Sequence, residues 1–80
     1  MRGEIVIVRG HRGRALVRRV WSVGRSRVFI TNDEQLGRLL AGKEALWPLG
    51  FPKKDVFKYD PKAATDLNAV NWSKLTQWQP

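Results

Sequence analysis

Cysteine is absent from the 80 residues, and histidine occurs once, as His11. The first absence removes disulfides and thiolate metal sites together, and the second leaves no multi-histidine centre to build. No metal and no other cofactor is expected. Long apolar runs are missing too, since nothing approaches the ~20 residues that span a bilayer. "IVIV" near the start is shorter than the roughly 7–15 residues of a signal-peptide core, and arginines follow it directly. The expectation is a cytoplasmic chain without membrane association. Its length suits one domain, 1–80, with a core at 3–60 and a tail at 61–80. A chain this short buries a modest fraction of its surface. With disulfides and metals excluded, self-association is the remaining source of extra burial.

The groups that catalysis needs are also scarce. A triad requires a nucleophile, a base and an orienting acid, yet His11 sits in a glycine-flanked basic stretch with no acid beside it. Asp33 and Glu34 are explained by the electrostatics of a helix start, and Asp55, Asp60 and Asp66 by turns. Lys54-Asp55 could be pressed into a nuclease-like pairing, but nothing requires it. "GHRG" lacks the longer glycine loop, lysine and helix of a phosphate-binding loop. No enzymatic activity is expected.

What is abundant is arginine, and it is unevenly placed. Acids number 7 against 15 lysines and arginines, a net charge of +8, and the pI is about 10.9. Residues 1–31 hold eight arginines against Glu4 alone, net +7; residues 32–80 hold Arg38 and six lysines against six acids, net +1. Arginine presents a planar fork that binds phosphate bidentately and stacks on flat rings, whereas lysine is a mobile point charge. A switch from one to the other within a single chain points to the chemistry of the first segment.

The pattern predicts an α+β fold. "EIVIV" (4–8) is apolar on both parities and reads as a strand buried on both faces. "RALVRRVWSV" (14–23) is a second strand whose alternation breaks at Arg18-Arg19, where a bulge or an inward-facing arginine is expected. "RVFIT" (27–31) is a third. Gly10–Gly13 and Gly24–Ser26 supply the turns of an antiparallel meander. "TNDEQLGRLLAGK" (31–43) reads as a helix, capped by Thr31 or Asn32, with Leu36, Leu39 and Leu40 on one stripe and Gly42 as its stop. "ALWPLGFP" (45–52) reads as a lid packed on the core, with Trp21 and Trp47 as core residues. "DVFKY" (55–59) is expected as a fourth strand beside the first, which would explain that strand's composition. Asp60-Pro61 opens a tail read as helical to about residue 70, with Leu67, Val70, Leu75 and Trp78 on one stripe. The architecture expected is thus a three- to four-stranded antiparallel sheet, one packed helix and a partly helical tail.

The segment "GEIVIVRGHRGRALVRRVW…RVFIT" resembles the KOW motif of SH3-like barrels found in some ribosomal and transcription-elongation proteins. The likeness lies in the initial glycine and acid, the valines, the glycine after the strand and the basic turn and strand that follow. It spans residues 3–31 of the 80. Ala15-Leu16 replaces the glycine expected before the second strand's hydrophobics, and the leucine helix is foreign to a minimal barrel of that kind. The resemblance makes a small SH3-like barrel the alternative fold and transfers no functional residue.

The function expected is that of a small basic binding protein contacting nucleic-acid backbone through Arg9, His11, Arg12, Arg14, Arg18, Arg19, Arg25 and Arg27. In an open meander its two basic turns lie about 33 Å apart, at the ends of the second strand, so the charge forms a stripe. The alternative is an adaptor or self-associating module with an acidic protein partner, because interface cores favour tryptophan and arginine and the chain contains four tryptophans.

Overall fold

The computed structural model describes residues 3–62 and 66–80. Five strands form one antiparallel sheet: β1 (Ile5–Arg9), β2 (Ala15–Val23), β3 (Arg27–Thr31), β4 (Leu49–Pro52) and β5 (Val56–Lys58), in the order β4-β3-β2-β1-β5. Among the described residues the one α-helix, α1 (Asp33–Leu40), follows β3. Short 3-10 turns lie at His11–Gly13, Lys53–Asp55 and Trp72–Lys74.

The composition of β1 follows from its place. It pairs with β2 on one side and with β5 on the other, where Val6, Ile7 and Val8 face Lys58, Phe57 and Val56. Val6 and Val8 join Val20, Val28, Ile30, Val56 and Trp78 in one cluster; Ile7 joins Ala15 and Phe57 in a second cluster on the opposite face. The expected fourth strand therefore exists and sits beside the first.

Arg18 and Arg19 do not form the bulge. They pair in unbroken register with Val6 and Ile5, so Arg18 faces one side of the sheet and Arg19 the other. The register shift falls between Val20 and Ser22 and leaves Trp21 as the extra residue. There, past the end of β1, an interruption breaks only the ladder to β3 instead of two ladders. It also turns Val20 and Val23 to the same face, opposite Ile30 and Val28.

The segment 45–52 is not a lid. Its second half is β4, paired to β3 from Leu49↔Ile30 to Arg27↔Pro52. Pro52 is tolerated because β4 is an outer strand. Gly50 is opposite Phe29, and a Cβ there would lie 3.1 Å from the Phe29 ring. The first half stands in solvent: Leu46 is 74% and Trp47 73% exposed, and only Pro48 is buried.

The helix is shorter than its sequence pattern. Thr31 belongs to β3 and is buried, and Asn32 caps α1 by accepting a 2.8 Å hydrogen bond from the Gln35 N–H. Gly42, at φ 70°, ends it. Leu36 and Leu39 are half-buried, but Leu40 is exposed. In the tail, residues 63–65 of the expected helix lie outside the described residues. From 66 onward the chain makes turns instead, because Asp66 and Asn71 side chains bond the Asn68 N–H and the Ser73 hydroxyl locally. The expected single stripe is divided. Val70, Trp72 and Leu75 pack against the cluster of Ile7 and Phe57, while Trp78 enters the other one. Between them the chain wraps the free side of β5: the Lys58 N–H donates to the Thr76 carbonyl and the Trp78 N–H to the Val56 carbonyl.

The sheet is strongly curled without closing into the alternative barrel. β4 and β5 are its two outer strands, yet only Lys53–Asp55 joins them. The outer strands of a flat five-stranded sheet would stand roughly 19 Å apart. The four steps from Pro52 to Val56 span at most about 14 Å. Curling, helped by the bulge at Trp21, brings them within reach.

Trp78 carries the packing prediction. It is 5% exposed, and its indole N–H has no acceptor among the described residues. Trp78→Ala should cost about 3–5 kcal/mol, and Trp78→Phe much less because it also removes the unpaired N–H. Trp47→Ala should cost no more than about 0.5 kcal/mol. Urea denaturation of the three variants checks this ranking.

Candidate nucleic-acid interface

The eight predicted residues divide into those held by the fold and those left to solvent. Arg9 is held. Its Nε and Nη2 both lie 3.0 Å from Asp55 Oδ1, and its guanidinium sits 5.2 Å from the Phe57 ring centre and 5.4 Å from that of Trp72. The two rings are tilted at 43° with centres 5.1 Å apart. A half-buried cation between two rings and a carboxylate joins the tail to the sheet. Arg19 is held as well, with Nε 2.7 Å from Asp33 Oδ1 and Nη1 donating to the Gly3 carbonyl at 2.9 Å. Arg27 Nη1 donates to the Gly50 carbonyl across the β3–β4 pair, at 3.0 Å. Arg18 Nη1 donates to its neighbour's carbonyl, Val17, at 2.8 Å.

His11, Arg12, Arg14 and Arg25 are exposed. Arg12 has φ 59°, a left-handed conformation that costs a non-glycine residue about 1–2 kcal/mol.

The two basic turns are not at opposite ends of a flat strand. The turn Lys53–Asp55 touches both. The Lys53 N–H donates to the Ser26 carbonyl at 3.4 Å, and Arg9 Nη2 donates to the Lys54 carbonyl at 3.4 Å. From Ser26 to the Arg9 guanidinium this path is under about 15 Å. The stripe expected from a flat meander is therefore gathered up. The linking turn thus sets Lys53 beside Ser26 and Lys54 beside the Arg9 guanidinium, and Asp55 is the sole acid within 9–14, 24–27 and 53–55, while Arg14 borders Leu67 and Asn68. Glu4, Asp33 and Asp60 lie toward the other end of β1, where Ile5 pairs with Arg19 and Val6 with Lys58. The lysine pair was legible in sequence, but its neighbours depend on the curl.

A second feature lies around Arg18. Leu16, Arg18, Ile30, Leu49 and Phe51 form, with Leu46–Pro48 and the start of α1, an open groove of about 230 Å3. Trp47, expected in the core, stands at its rim. Tryptophan on a loop broken by proline gives no sequence signal for exposure.

Among the described residues there is no group of three or more metal-ligating side chains, and no helix is long and apolar enough to cross a membrane. Searches of protein-family models, curated proteins and solved structures return no match to this chain.

The anchoring role of Arg9 is testable. Asp55→Ala should cost about 1–2 kcal/mol, between an exposed and a buried pair. Asp33→Ala, at an exposed carboxylate, should cost under about 0.5 kcal/mol. Thermal denaturation of both variants gives the comparison.

Proposed function

We propose that the chain is a small, non-catalytic, cytoplasmic binding protein that grips nucleic-acid backbone. The contacts come from His11, Arg12 and Arg14 on one turn, Arg25 and Arg27 on the other, and Lys53 and Lys54 between them. Arg18 flanks the cluster, whereas Arg9 and Arg19 serve the fold. The observation that carries this reading is that the turn Lys53–Asp55 reaches Ser26 of one basic turn and the Arg9 side chain at the edge of the other, with Asp55, paired to Arg9, the sole acid in the three turns. Phosphates neutralised by such a cluster release condensed counterions, which gives affinity without sequence readout. Arg12 adds support: an arginine kept at a strained position, where glycine would relax the backbone, is a local conflict of the kind found at functional sites.

A second reading has its own observation. Leu46, Trp47 and Leu49 are between 68% and 74% exposed, and exposed apolar patches mark interaction surfaces. On that reading the chain is an adaptor or self-associating module with an acidic protein partner. Sedimentation decides it: a monomer mass at all concentrations, with no protein partner retained, speaks against it.

The first reading predicts binding of random-sequence oligonucleotides at ~50 mM salt, weakening log-linearly as salt rises. Arg12→Glu/Arg14→Glu/Arg25→Glu should lower affinity at least about tenfold and flatten the salt slope by roughly 3, the number of contacts removed. Its melting temperature should stay that of the parent, because the three side chains are exposed. Absence of binding by the parent protein at that salt defeats the reading.

A further inference from the structure

We infer that the groove beside Trp47 receives an unpaired base of a single-stranded nucleic acid, with Trp47 as the stacking surface. This rests on the polyanion reading above and names the form of nucleic acid that the site prefers. Three observations select the occupant. First, the groove is floored by apolar side chains and rimmed by a tryptophan 73% exposed, and its volume of about 230 Å3 suits one flat ring rather than a drug-sized ligand.

Second, the one charged side chain that lines it is a cation. Arg18 lines the groove, no acidic side chain does, and Arg14 borders Leu16 and Arg18 in the adjoining hollow. An occupant that brings apolar rings and negative charge together complements it.

Third, its two amides are left with donors. Asn32 and Gln35 both line the groove. Asn32 Oδ1 accepts from the Gln35 N–H, and Gln35 Oε1 accepts from the Leu46 N–H, each at 2.8 Å. What they offer a ligand is NH2. Pyrimidine carbonyl oxygens and phosphate oxygens are acceptors and suit them. A peptide backbone brings as many donors as acceptors and suits them less. In a duplex the bases are stacked on one another and their faces are closed to Trp47, whereas single strands expose them.

The test compares a homopyrimidine single strand with a duplex of equal length at one salt concentration, using the full chain and its Trp47→Ala and Trp47→Phe variants. The parent should prefer the single strand. Trp47→Ala should lose roughly 5- to 150-fold in single-strand affinity, the range for removing one stacked base. It should keep its duplex affinity and melting temperature, and Trp47→Phe should retain most single-strand binding. Equal single-strand affinity of the parent and Trp47→Ala overturns the groove while leaving the backbone reading standing. Failure of the parent to bind either nucleic acid overturns both. An acidic peptide that displaces the single strand from Trp47, or quenches its fluorescence where oligonucleotides do not, replaces nucleic acid by protein as the occupant.

Discussion

Three residues between two outer strands are the constraint on which the structure depends. Lys53–Asp55 must join β4 to β5, and a flat sheet puts those strands too far apart. The sheet therefore has to curl, and β2 has to bend to let it. The extra residue at Trp21 falls in the stretch of β2 that β1 no longer pairs, where a bulge breaks one ladder rather than two. The bend then turns Val20 and Val23 together toward the core. The same link carries the function proposed for the chain. Its backbone meets Ser26 on one side and Arg9 on the other, so the curl that closes the core also collects the basic turns.

The second consequence concerns the sheet edges. An unpaired strand edge invites association with another chain. The tail removes one such edge by running along β5, inserting Trp78 on one face after Trp72 and Leu75 on the other. Arg9 fastens this wrap, lying between Phe57, Trp72 and Asp55. The edge of β4 is treated differently: it is four residues long and ends in proline. A chain without cysteine thus gains burial by using residues 70–78 as cover.

How much of this could be read from the sequence varies with the range of the interaction. β1 announced its two-sided burial by being apolar on both parities, and that required a neighbour, found at Val56–Lys58. β3 and the Asn32 cap were legible because they depend on adjacent residues. β4 was not, since two prolines and a glycine in eight residues look like a loop, and only pairing with β3 makes Leu49–Pro52 a strand. The bulge was misplaced because Arg18-Arg19 breaks the polar alternation, while Trp21 does the geometric work without disturbing the pattern. For the site, the excess of cations was plain, but which ones are free was not. Arg9 and Arg19 find Asp55 and Asp33 over separations of 46 and 14 residues, and no local pattern records that.

Charge and fold meet in one geometric claim: the turn at 10–14 and the turn at 24–26 form one surface. The absence of native cysteine makes it directly measurable. Spin labels on Arg14→Cys and Ser26→Cys should give a single electron–electron distance distribution centred below about 30 Å, the upper bound set by the path through Lys53, Lys54 and the Arg9 side chain. A distribution centred beyond about 33 Å, the separation along an unbent β2, would contradict the curl and with it the single basic surface.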